Sequence, residues 1–453
     1  MRLSFADALP RPVRPEPAPP EPRSFAAEPP RGPEIDEGYF QLKTEMHRRV
    51  IERMNLAGLN QRPPEQVRAE VSEIVGALLK EDHRALNRDE SQRLVDDLMH
   101  ELLGFGPLEP LLQDPDVSDI LVNTAREVYV ERFGRIELTP IRFADEQHLL
   151  RIIERIVTKV GRTIDESQPM VDARLPDGSR VNAVVPPIAV DGAILSIRRF
   201  SSTPLDLDRL AASGACDAAC AELLRGMVAC RLNILISGGT GTGKTTLLNA
   251  MSRAIGSHER IITIEDAAEL QLQQRHVVRM ETRPANIEGR GEVTQRELVR
   301  NALRMRPDRI VVGEVRAGEA FDMLQAMNTG HDGSMTTIHA NTPRDALGRI
   351  EQMISMAGLD LAPRAMRAQI ASAINVVVQL RRFADGSRRI VSVQEIQGME
   401  GDVITLQEVY RYEQQGLDDR QKPKGRFTWT ELRPAFLDLF LANGVPIPPG
   451  MSG

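Results

Sequence analysis

Apolar residues recur three and four positions apart in the first quarter of the chain, which is the spacing of one face of an α-helix. The first stripe follows Pro63-Pro64, a pair typical of a helix start, and the second ends at 104–107, where glycine and proline predict a break. The stripes predict a small helical domain over 35–105, and they consist of Val67, Val71, Ile74, Val75 and Leu78, then Leu94, Leu98 and Leu102.

Between 106 and 205 the pattern mixes helical and strand periodicity. Apolar and polar positions alternate on both sides of Asp177-Gly178, which predicts a β-hairpin with its turn at that pair. One helix precedes the hairpin, with an apolar face made of Leu149, Ile152, Ile153, Ile156 and Val160. The segment is therefore predicted to be a small α+β domain.

From 206 to 453 helical segments alternate with compact apolar runs, a rhythm typical of a mostly parallel α/β sheet. A second hairpin is predicted near the end of this part, with its turn at Asp385-Gly386. The pattern predicts the α/β fold class, with strands at 233–237, 260–264, 309–313 and 334–338.

Composition changes the picture at the N-terminus, where residues 1–33 contain ten of the 30 prolines. Such a segment can bury little apolar surface, so residues 1–34 are predicted to be a disordered tail, either a tether or a docking arm for a partner. No apolar run is long enough for a spanning helix and no secretory signal begins the chain, so the protein is predicted to be cytoplasmic.

Charge and aromatic content bear on partners. The formal net charge is −7 and aromatic residues make up 4% of the chain, which argues against a broad phosphate-binding surface, as nucleic acid requires, or a base-stacking platform. Nucleic acid is therefore not an expected partner.

The strongest chemical signal is a glycine-rich motif between an apolar run and a helical run. It fulfils G-x-x-x-x-G-K-[ST], in which backbone N–H groups surround phosphate oxygens, the lysine reaches the β- and γ-phosphates, and the hydroxyl can bind Mg²⁺. ATP and Mg²⁺ are the predicted cofactors, and 206–453 is predicted to be a RecA-like P-loop NTPase domain with a C-terminal extension. The nucleotide-binding residues are Gly238, Gly239, Thr240, Gly241, Thr242, Gly243, Lys244, Thr245 and Thr246.

Hydrolysis also needs acids near the phosphates, and two follow predicted strands. Glu265 and Glu314 come directly after apolar runs, at the edge where α/β sheets place their ligands. One carboxylate can accept a proton from water and the other can serve Mg²⁺ together with Thr245, although either could be a solvated strand end. His339 follows a further strand towards the same edge and could contact the γ-phosphate or a carboxylate.

Positive charge from outside the P-loop domain could stabilise a transferring phosphoryl group, as an arginine finger does. The α+β segment concentrates four arginines that could equally be solvated rim residues, and the last two are neighbours on one strand, so they must point to opposite faces. They are Arg174, Arg180, Arg198 and Arg199.

The motifs resemble those of the type II/IV secretion ATPase superfamily, in the order Walker A, Asp box, Walker B and His box. These boxes correspond here to 238–245, the Glu265 region, 310–314 and the His339 region. The stretch GSRVNAVVPPIAVDGAILSIRRF and the helical N-terminal segment resemble the CpaF/TadA branch, the motor of Flp-type (tight adherence) pili. The tetracysteine zinc motif of the type II secretion branch is absent, which argues against that branch.

The resemblance implies a cytoplasmic homo-hexamer attached to inner-membrane pilus platform proteins, which powers pilus assembly and could also drive retraction. It further implies a polar-localisation protein as a partner of the N-terminal region. By the same resemblance, Glu265 takes part in catalysis, Glu314 belongs to the Mg²⁺ environment, and the arginines named above neutralise phosphate charge.

Three alternatives stay open from the sequence. A type IV secretion ATPase of the VirB11 kind shares the motifs, but normally lacks so long an N-terminal helical extension. A RecA-like nucleic-acid motor is disfavoured by the acidic composition. A scaffold that binds nucleotide without turnover is disfavoured by the joint presence of Lys244, Glu265 and Glu314.

Overall fold

The computed structural model describes residues 37–54, 58–199, 205–283, 285, 290–359, 361–418 and 422–451. The predicted Pro-rich tail, 1–34, lies outside these residues. Among the helices of the described ranges, none is both long and apolar enough to cross a membrane.

Three helices form the N-terminal part, and their bounds follow the apolar stripes. Pro64 is the first residue of the second helix, and the third begins after Asn87, whose side chain accepts from the backbone N–H of Glu90 while the Glu90 carboxylate accepts from that of Asn87. This reciprocal capping satisfies two donors that a helix start leaves free. The helices are α1 (Glu37–Arg53), α2 (Pro64–Glu81) and α3 (Arg88–Leu103), with a 3-10 turn at Leu59–Gln61.

The next part is a six-stranded antiparallel sheet with one long helix against it, in the strand order β3-β2-β1-β6-β5-β4. Strands β4 and β5 are the predicted hairpin, and Gly178 in its turn has a φ of 92°. A 3-10 turn (Gly106–Leu108) precedes the elements, which are α4 (Glu109–Gln113), β1 (Val117–Thr124), β2 (Glu127–Arg132), β3 (Arg135–Leu138), α5 (Glu146–Lys159), β4 (Met170–Arg174), β5 (Arg180–Val184) and β6 (Ile194–Arg198).

A buried carboxylate joins the helical part to this sheet layer. Glu101 of α3 is 2% exposed, and it lies 3.0 Å from both the Lys43 ammonium of α1 and Nε2 of His148 of α5. Burial alone would favour the neutral acid, but the bond from His148 and the Lys43 charge hold the pKa of Glu101 at about 2. Glu101 therefore links the helical part to the sheet layer through a buried charged contact.

The C-terminal part alternates helices and strands, as the compact apolar runs predicted. Its helices are α6 (Leu207–Ala212), α7 (Ala218–Ala229), α8 (Lys244–Ser252), α9 (Gln295–Ala302), α10 (Glu319–Asn328), α11 (Pro343–Met356), α12 (Pro363–Ala373) and α13 (Leu437–Ala442). Its strands are β7 (Ile234–Ser237), β8 (Ile261–Glu265), β9 (Val277–Glu281), β10 (Arg309–Val312), β11 (Met335–Ile338), β12 (Val376–Arg382), β13 (Arg388–Glu400), β14 (Val403–Leu417) and β15 (Pro423–Trp429).

These strands form one nine-stranded sheet in the order β15-β14-β13-β12-β7-β11-β10-β8-β9. Strands β12, β7, β11, β10, β8 and β9 pair in parallel, and β13 to β15 continue the sheet as antiparallel strands. Parallel strands are buried on both faces, which explains why they read as continuous apolar runs. The predicted α/β class, with a P-loop domain behind helical and α+β parts, is confirmed.

The long antiparallel extension is the part of the fold that periodicity predicted least. Tyr410 of β14 is fully buried, its ring centroid lies 4.9 Å from that of Trp429, and its hydroxyl donates to Asp217 at 3.1 Å. Because Asp217 also caps α7, the extension is packed onto the parallel core.

The amino ends of the parallel strands enclose a buried ion pair, at the edge opposite the P-loop. Arg309 is 1% exposed and donates two hydrogen bonds to the Glu259 carboxylate, at 2.8 and 2.9 Å, while Arg231 donates a third at 2.8 Å. Burial disfavours the charged form, but these guanidinium groups outweigh it and hold the pKa of Glu259 at about 2. The pair fastens β10 to the segment before β8.

We expect Glu259→Gln to lower the free energy of unfolding by about 3–5 kcal/mol, because it leaves the Arg309 charge buried without a counter-charge. Urea unfolding followed by the fluorescence of Trp429, the single tryptophan, measures the change. Replacing both partners together, as Glu259→Leu with Arg309→Met, removes the charges and should recover most of the loss. Equal destabilisation by the single and double variants would contradict the ion-pair account.

Candidate nucleotide-binding and hydrolysis site

The P-loop connects β7 to α8 through a turn that depends on glycine. Gly241 and Gly243 have φ values of 68° and 92°, in the left-handed region that side chains disfavour. A Cβ added to Gly238 would lie 2.5 Å from the hydroxyl of Thr242, which itself donates to the carbonyl of Gly239 at 2.9 Å. The glycines therefore allow a tight cradle directly before a helix N-terminus, a geometry that fits phosphate.

The remaining predicted nucleotide-binding residues lie on the same loop and the first turn of α8. Thr240 is exposed at the loop tip, whereas Thr245 and Thr246 are half-buried. Lys244 is 8% exposed, and its ammonium donates to the carbonyls of Gly238 and Gly239 at 3.0 and 2.9 Å. Burial lowers the pKa of Lys244 to about 8, although the Glu314 charge opposes this shift.

Glu265 is the last residue of β8 and is 3% exposed. Its Oε2 accepts backbone hydrogen bonds from Glu269 at 2.7 Å and Leu270 at 2.9 Å, whereas its Oε1 is buried with no hydrogen-bond partner. Burial raises the pKa of Glu265 to about 7, and the two backbone bonds limit the rise. One oxygen is thus anchored, and the other is available to a donor in the site.

Glu314 and His339 meet at the carboxyl ends of β10 and β11. Nε2 of His339 lies 3.0 Å from Glu314 Oε1 and 3.3 Å from the Lys244 ammonium. Burial and the Lys244 charge lower the pKa of His339. The three residues, which were predicted from separate boxes, therefore lie together beside the P-loop.

Arg316 is a site residue that the sequence reasoning missed. Its guanidinium lies 2.8 Å from Glu314 Oε2 and 3.1 Å from Asp266, so it bridges the acids that follow two neighbouring strands. These bonds raise the pKa of Arg316. The sequence feature that could have identified Arg316 is its position two residues after Glu314, in the loop at the ligand-binding edge.

The four predicted arginines occupy different positions. Arg180 lines a small cavity together with Thr245, Glu265 and Glu314. Arg180 also lines a neighbouring cleft of about 730 Å³ between the two sheets, and so do Arg174 and Arg198.

Arg198 and Arg199 diverge, as strand alternation requires. The Arg198 guanidinium is 3.2 Å from Asp119 on the cleft side. That of Arg199 instead donates to the backbone carbonyls of Asp114 and, at 3.0 Å, Val117, within its own sheet layer. The structure thus brings Arg180 to the cavity and does not bring Arg199 there.

The six-stranded sheet also contacts an arginine that bonds to the P-loop, and the sequence reasoning missed this contact too. Arg388, at the start of β13, donates to the carbonyl of Gly241 at 2.9 Å, and it pairs with Glu131 of β2 at 3.3 Å. Arg382 lies 3.5 Å from the same carboxylate. No motif marks these arginines, because their partners are distant in sequence.

Comparison with known families gives two matches that together span most of the chain. The type II/IV secretion system protein family matches residues 101–433, which span both sheets and every residue of the site. The N-terminal domain of the type II secretion system protein E family matches residues 39–103, the helical part.

Individual relatives are similar over more than half of the chain. A Mycobacterium tuberculosis protein named for conjugal transfer is 45% identical over 312 residues, 68% of this chain and 88% of that protein. The type IV secretion system protein VirB11 of Bartonella henselae is 33% identical over 329 residues, 63% of this chain and 90% of that protein.

Two solved structures that resemble the chain have TM-scores below 0.5, so the fold assignment rests on the strand order given above. The VirB11 ATPase of the Brucella suis type IV secretion system covers 64% of this chain and 95% of that chain, with 30% identity and a TM-score of 0.35. The pilus retraction motor PilT with bound ADP covers 73% and 83%, with 19% identity and a TM-score of 0.44. Since one family matches well over half of its length, the chain belongs to the type II/IV secretion system proteins.

Proposed function

We propose that this protein is an ATPase that converts ATP and water to ADP and phosphate and uses the energy as a secretion or pilus motor. The observation that carries the proposal is the buried, unpartnered Oε1 of Glu265, in a cavity shared with Thr245 of the P-loop. An unsatisfied acceptor is costly to bury, and a water held for attack on a phosphate would supply the missing donor.

Substrate binding falls to the P-loop. The backbone N–H groups of 239–245 bind the phosphates, and the Lys244 ammonium exchanges the carbonyls of Gly238 and Gly239 for β- and γ-phosphate oxygens. Thr245 and Glu314 are the residues that would hold Mg²⁺, Glu314 directly or through a water. Bound Mg²⁺ would neutralise charge on the β- and γ-phosphates.

The proton of the attacking water goes to Oε1 of Glu265. The raised pKa of this carboxyl, about 7, makes it a stronger base than an exposed glutamate. The backbone donors to Oε2 keep the carboxylate oriented, so proton transfer needs no side-chain rotation. His339 lies between Lys244 and Glu314 and would respond when the Lys244 ammonium moves to a phosphate.

Arg174, Arg180, Arg198 and Arg199 are the proposed sources of positive charge for the transferring phosphoryl group. Arg180 comes first among them, because it lines the cavity that contains Glu265. Arg199 is supported least, because its guanidinium already bonds to two carbonyls.

We propose a homo-hexamer as the working form. The cleft between the sheets is open, and Arg198, with 60% of its side chain exposed, could reach the nucleotide of a neighbouring subunit. A nucleotide-bound protein that sediments as a monomer while turning over ATP would contradict this.

The proposed system is the Flp-type pilus, with this chain as a CpaF/TadA-type motor. The motif order and the helical part at 37–103 support this subtype. The expected partners are inner-membrane platform proteins, with a polar-localisation protein at the N-terminal region, and the expected place is the cytoplasmic face of that membrane.

A VirB11-like type IV secretion ATPase is the second candidate, favoured by the identity to VirB11 and to the protein named for conjugal transfer. Removing the gene from its host separates the two. Loss of surface pili with DNA and effector transfer intact supports the pilus motor, and the reverse supports the type IV role.

We expect Glu265→Gln to bind ATP with near wild-type affinity and to lose hydrolysis by about 100-fold or more, because an amide cannot accept the proton. A fluorescent ATP analogue measures binding, and phosphate release measures turnover. Lys244→Ala is the matched comparison, in which binding should weaken as well. Normal turnover by Glu265→Gln would remove Glu265 as the base.

We expect kcat/KM for ATP to be bell-shaped in pH, because it reports groups of the free enzyme. It should rise through about pH 7 as Glu265 loses its proton and fall above about pH 8 as Lys244 loses its charge. Nucleotide binding alone should weaken above about pH 8 in both the wild type and Glu265→Gln. A turnover profile that stays flat from pH 6 to 9 would be inconsistent with these assignments.

A further inference from the structure

The hairpin β4–β5 of the six-stranded sheet contacts the loop that follows Glu265. Arg180 donates to the carboxylate of Glu269 at 2.7 Å. Arg174 donates to the carbonyl of Ala268 at 3.1 Å and to the carboxylate of Glu281 at 2.7 Å. Two arginines of the six-stranded sheet therefore bind a short loop that follows a strand of the nine-stranded sheet.

The same loop anchors the proposed base. The backbone N–H groups of Glu269 and Leu270 both donate to Oε2 of Glu265. Glu269 is thus bonded in two directions, by its backbone to Glu265 and by its side chain to Arg180. A movement of the hairpin that carries Arg180 would move the donor that orients Glu265.

Glu281, the last residue of β9, holds the loop from the other side. Its Oε2 accepts from Arg174 and lies 3.4 Å from the backbone nitrogen of Ala268. The loop, 266–270, contains no helix or strand, so these side-chain bonds supply restraints that a sheet ladder would otherwise give.

The stability of the fold does not explain these ion pairs. The side chains of Arg180 and Glu269 are 46% and 28% exposed, and those of Arg174 and Glu281 are 30% and 42% exposed. Ion pairs of such exposure contribute little to the free energy of unfolding. Their position beside the Glu265 loop is the feature that distinguishes them from ordinary surface pairs.

We propose that Glu269 and Glu281 are positioning residues. Their carboxylates bind the hairpin arginines and fix the loop, so that Oε1 of Glu265 faces the attacking water. This rests on the proposed hydrolysis. The orientation of Glu265 then depends on how the two sheet layers lie relative to each other. Hydrolysis proceeds while the hairpin arginines are bonded to the loop and slows when these bonds break.

The same contacts would have the opposite effect if Glu269 merely kept Arg180 away from the phosphate. Freeing the arginine would then leave turnover unchanged or increase it. Removal of the Glu269 charge therefore distinguishes the two explanations. The positioning role predicts a lower kcat, and the sequestering of Arg180 predicts an unchanged or higher kcat.

The experiment is steady-state ATP hydrolysis by the full chain with Glu269→Gln. We expect kcat to fall by about 10- to 100-fold, as small misplacements of a reacting group do, while KM for ATP changes by less than about twofold. Glu413→Gln is the matched control, because its side chain is 27% exposed and also pairs with arginines, Arg411 and Arg426, far from the cavity on β14 and β15. The control should keep the wild-type kcat.

A double-variant cycle with Arg180→Ala gives the second measurement. If Arg180 acts through Glu269, the double variant should be no slower than the slower single variant, because both changes break one contact. A loss from Arg180→Ala that exceeds the loss from Glu269→Gln would measure the charge that Arg180 supplies to the phosphate. Losses in kcat that multiply in the double variant would mean that the Arg180–Glu269 contact contributes nothing to turnover, and the proposal would be overturned. Glu281→Gln should lower kcat in the same direction, again with KM retained.

The failure of this inference differs from the failure of the proposed function. A wild-type protein whose ATP turnover is unaffected by Lys244→Ala and Glu265→Gln would refute hydrolysis at this site. Turnover that depends on Lys244 and Glu265 but stays the same or rises in Glu269→Gln would refute the positioning role alone.

Discussion

Parallel pairing of the central strands is the constraint on which the site depends. In a parallel sheet the carboxyl ends of neighbouring strands meet at one edge, and their register decides how far each following loop extends. One row across this sheet contains Leu235, Thr336, Val312 and Ile264. The residues that follow that row within three positions are Gly238, His339, Glu314 and Glu265. Four segments spread over a hundred residues thereby converge without any contact between their motifs along the chain.

That convergence buries charge, and burial acts in opposite directions on acid and base. It raises the pKa of Glu265 from 4.5 to about 7 and lowers that of Lys244 from 10.5 to about 8. Backbone groups compensate both residues, N–H donors for the carboxylate and carbonyl acceptors for the ammonium. The Lys244 ammonium has carbonyl acceptors, whereas Glu265 keeps one buried oxygen for a further donor.

The six-stranded sheet touches this edge at two points. At the first point, Arg174 and Arg180 bind the loop after Glu265. At the second, Glu131 pairs with Arg388, which also donates to the P-loop carbonyl of Gly241. Every one of these contacts is charged or polar and partly exposed. Contacts of this kind can break and reform at little cost in free energy, which is consistent with the proposed dependence of hydrolysis on the relative position of the two sheet layers.

Local patterns determined most of the fold and the core of the site. Helical stripes, strand alternation about Gly178 and Gly386, and the P-loop motif depend on residues close in sequence, so their spacing alone was informative. The tertiary structure decided which residues far apart in the sequence come into contact. Arg388 meets Gly241 over 147 positions and Arg180 meets Glu269 over 89, whereas Arg199 is turned to carbonyls of its own layer. Strand alternation predicts which way a side chain points, but the partner it contacts depends on how the two sheet layers pack, which periodicity does not encode.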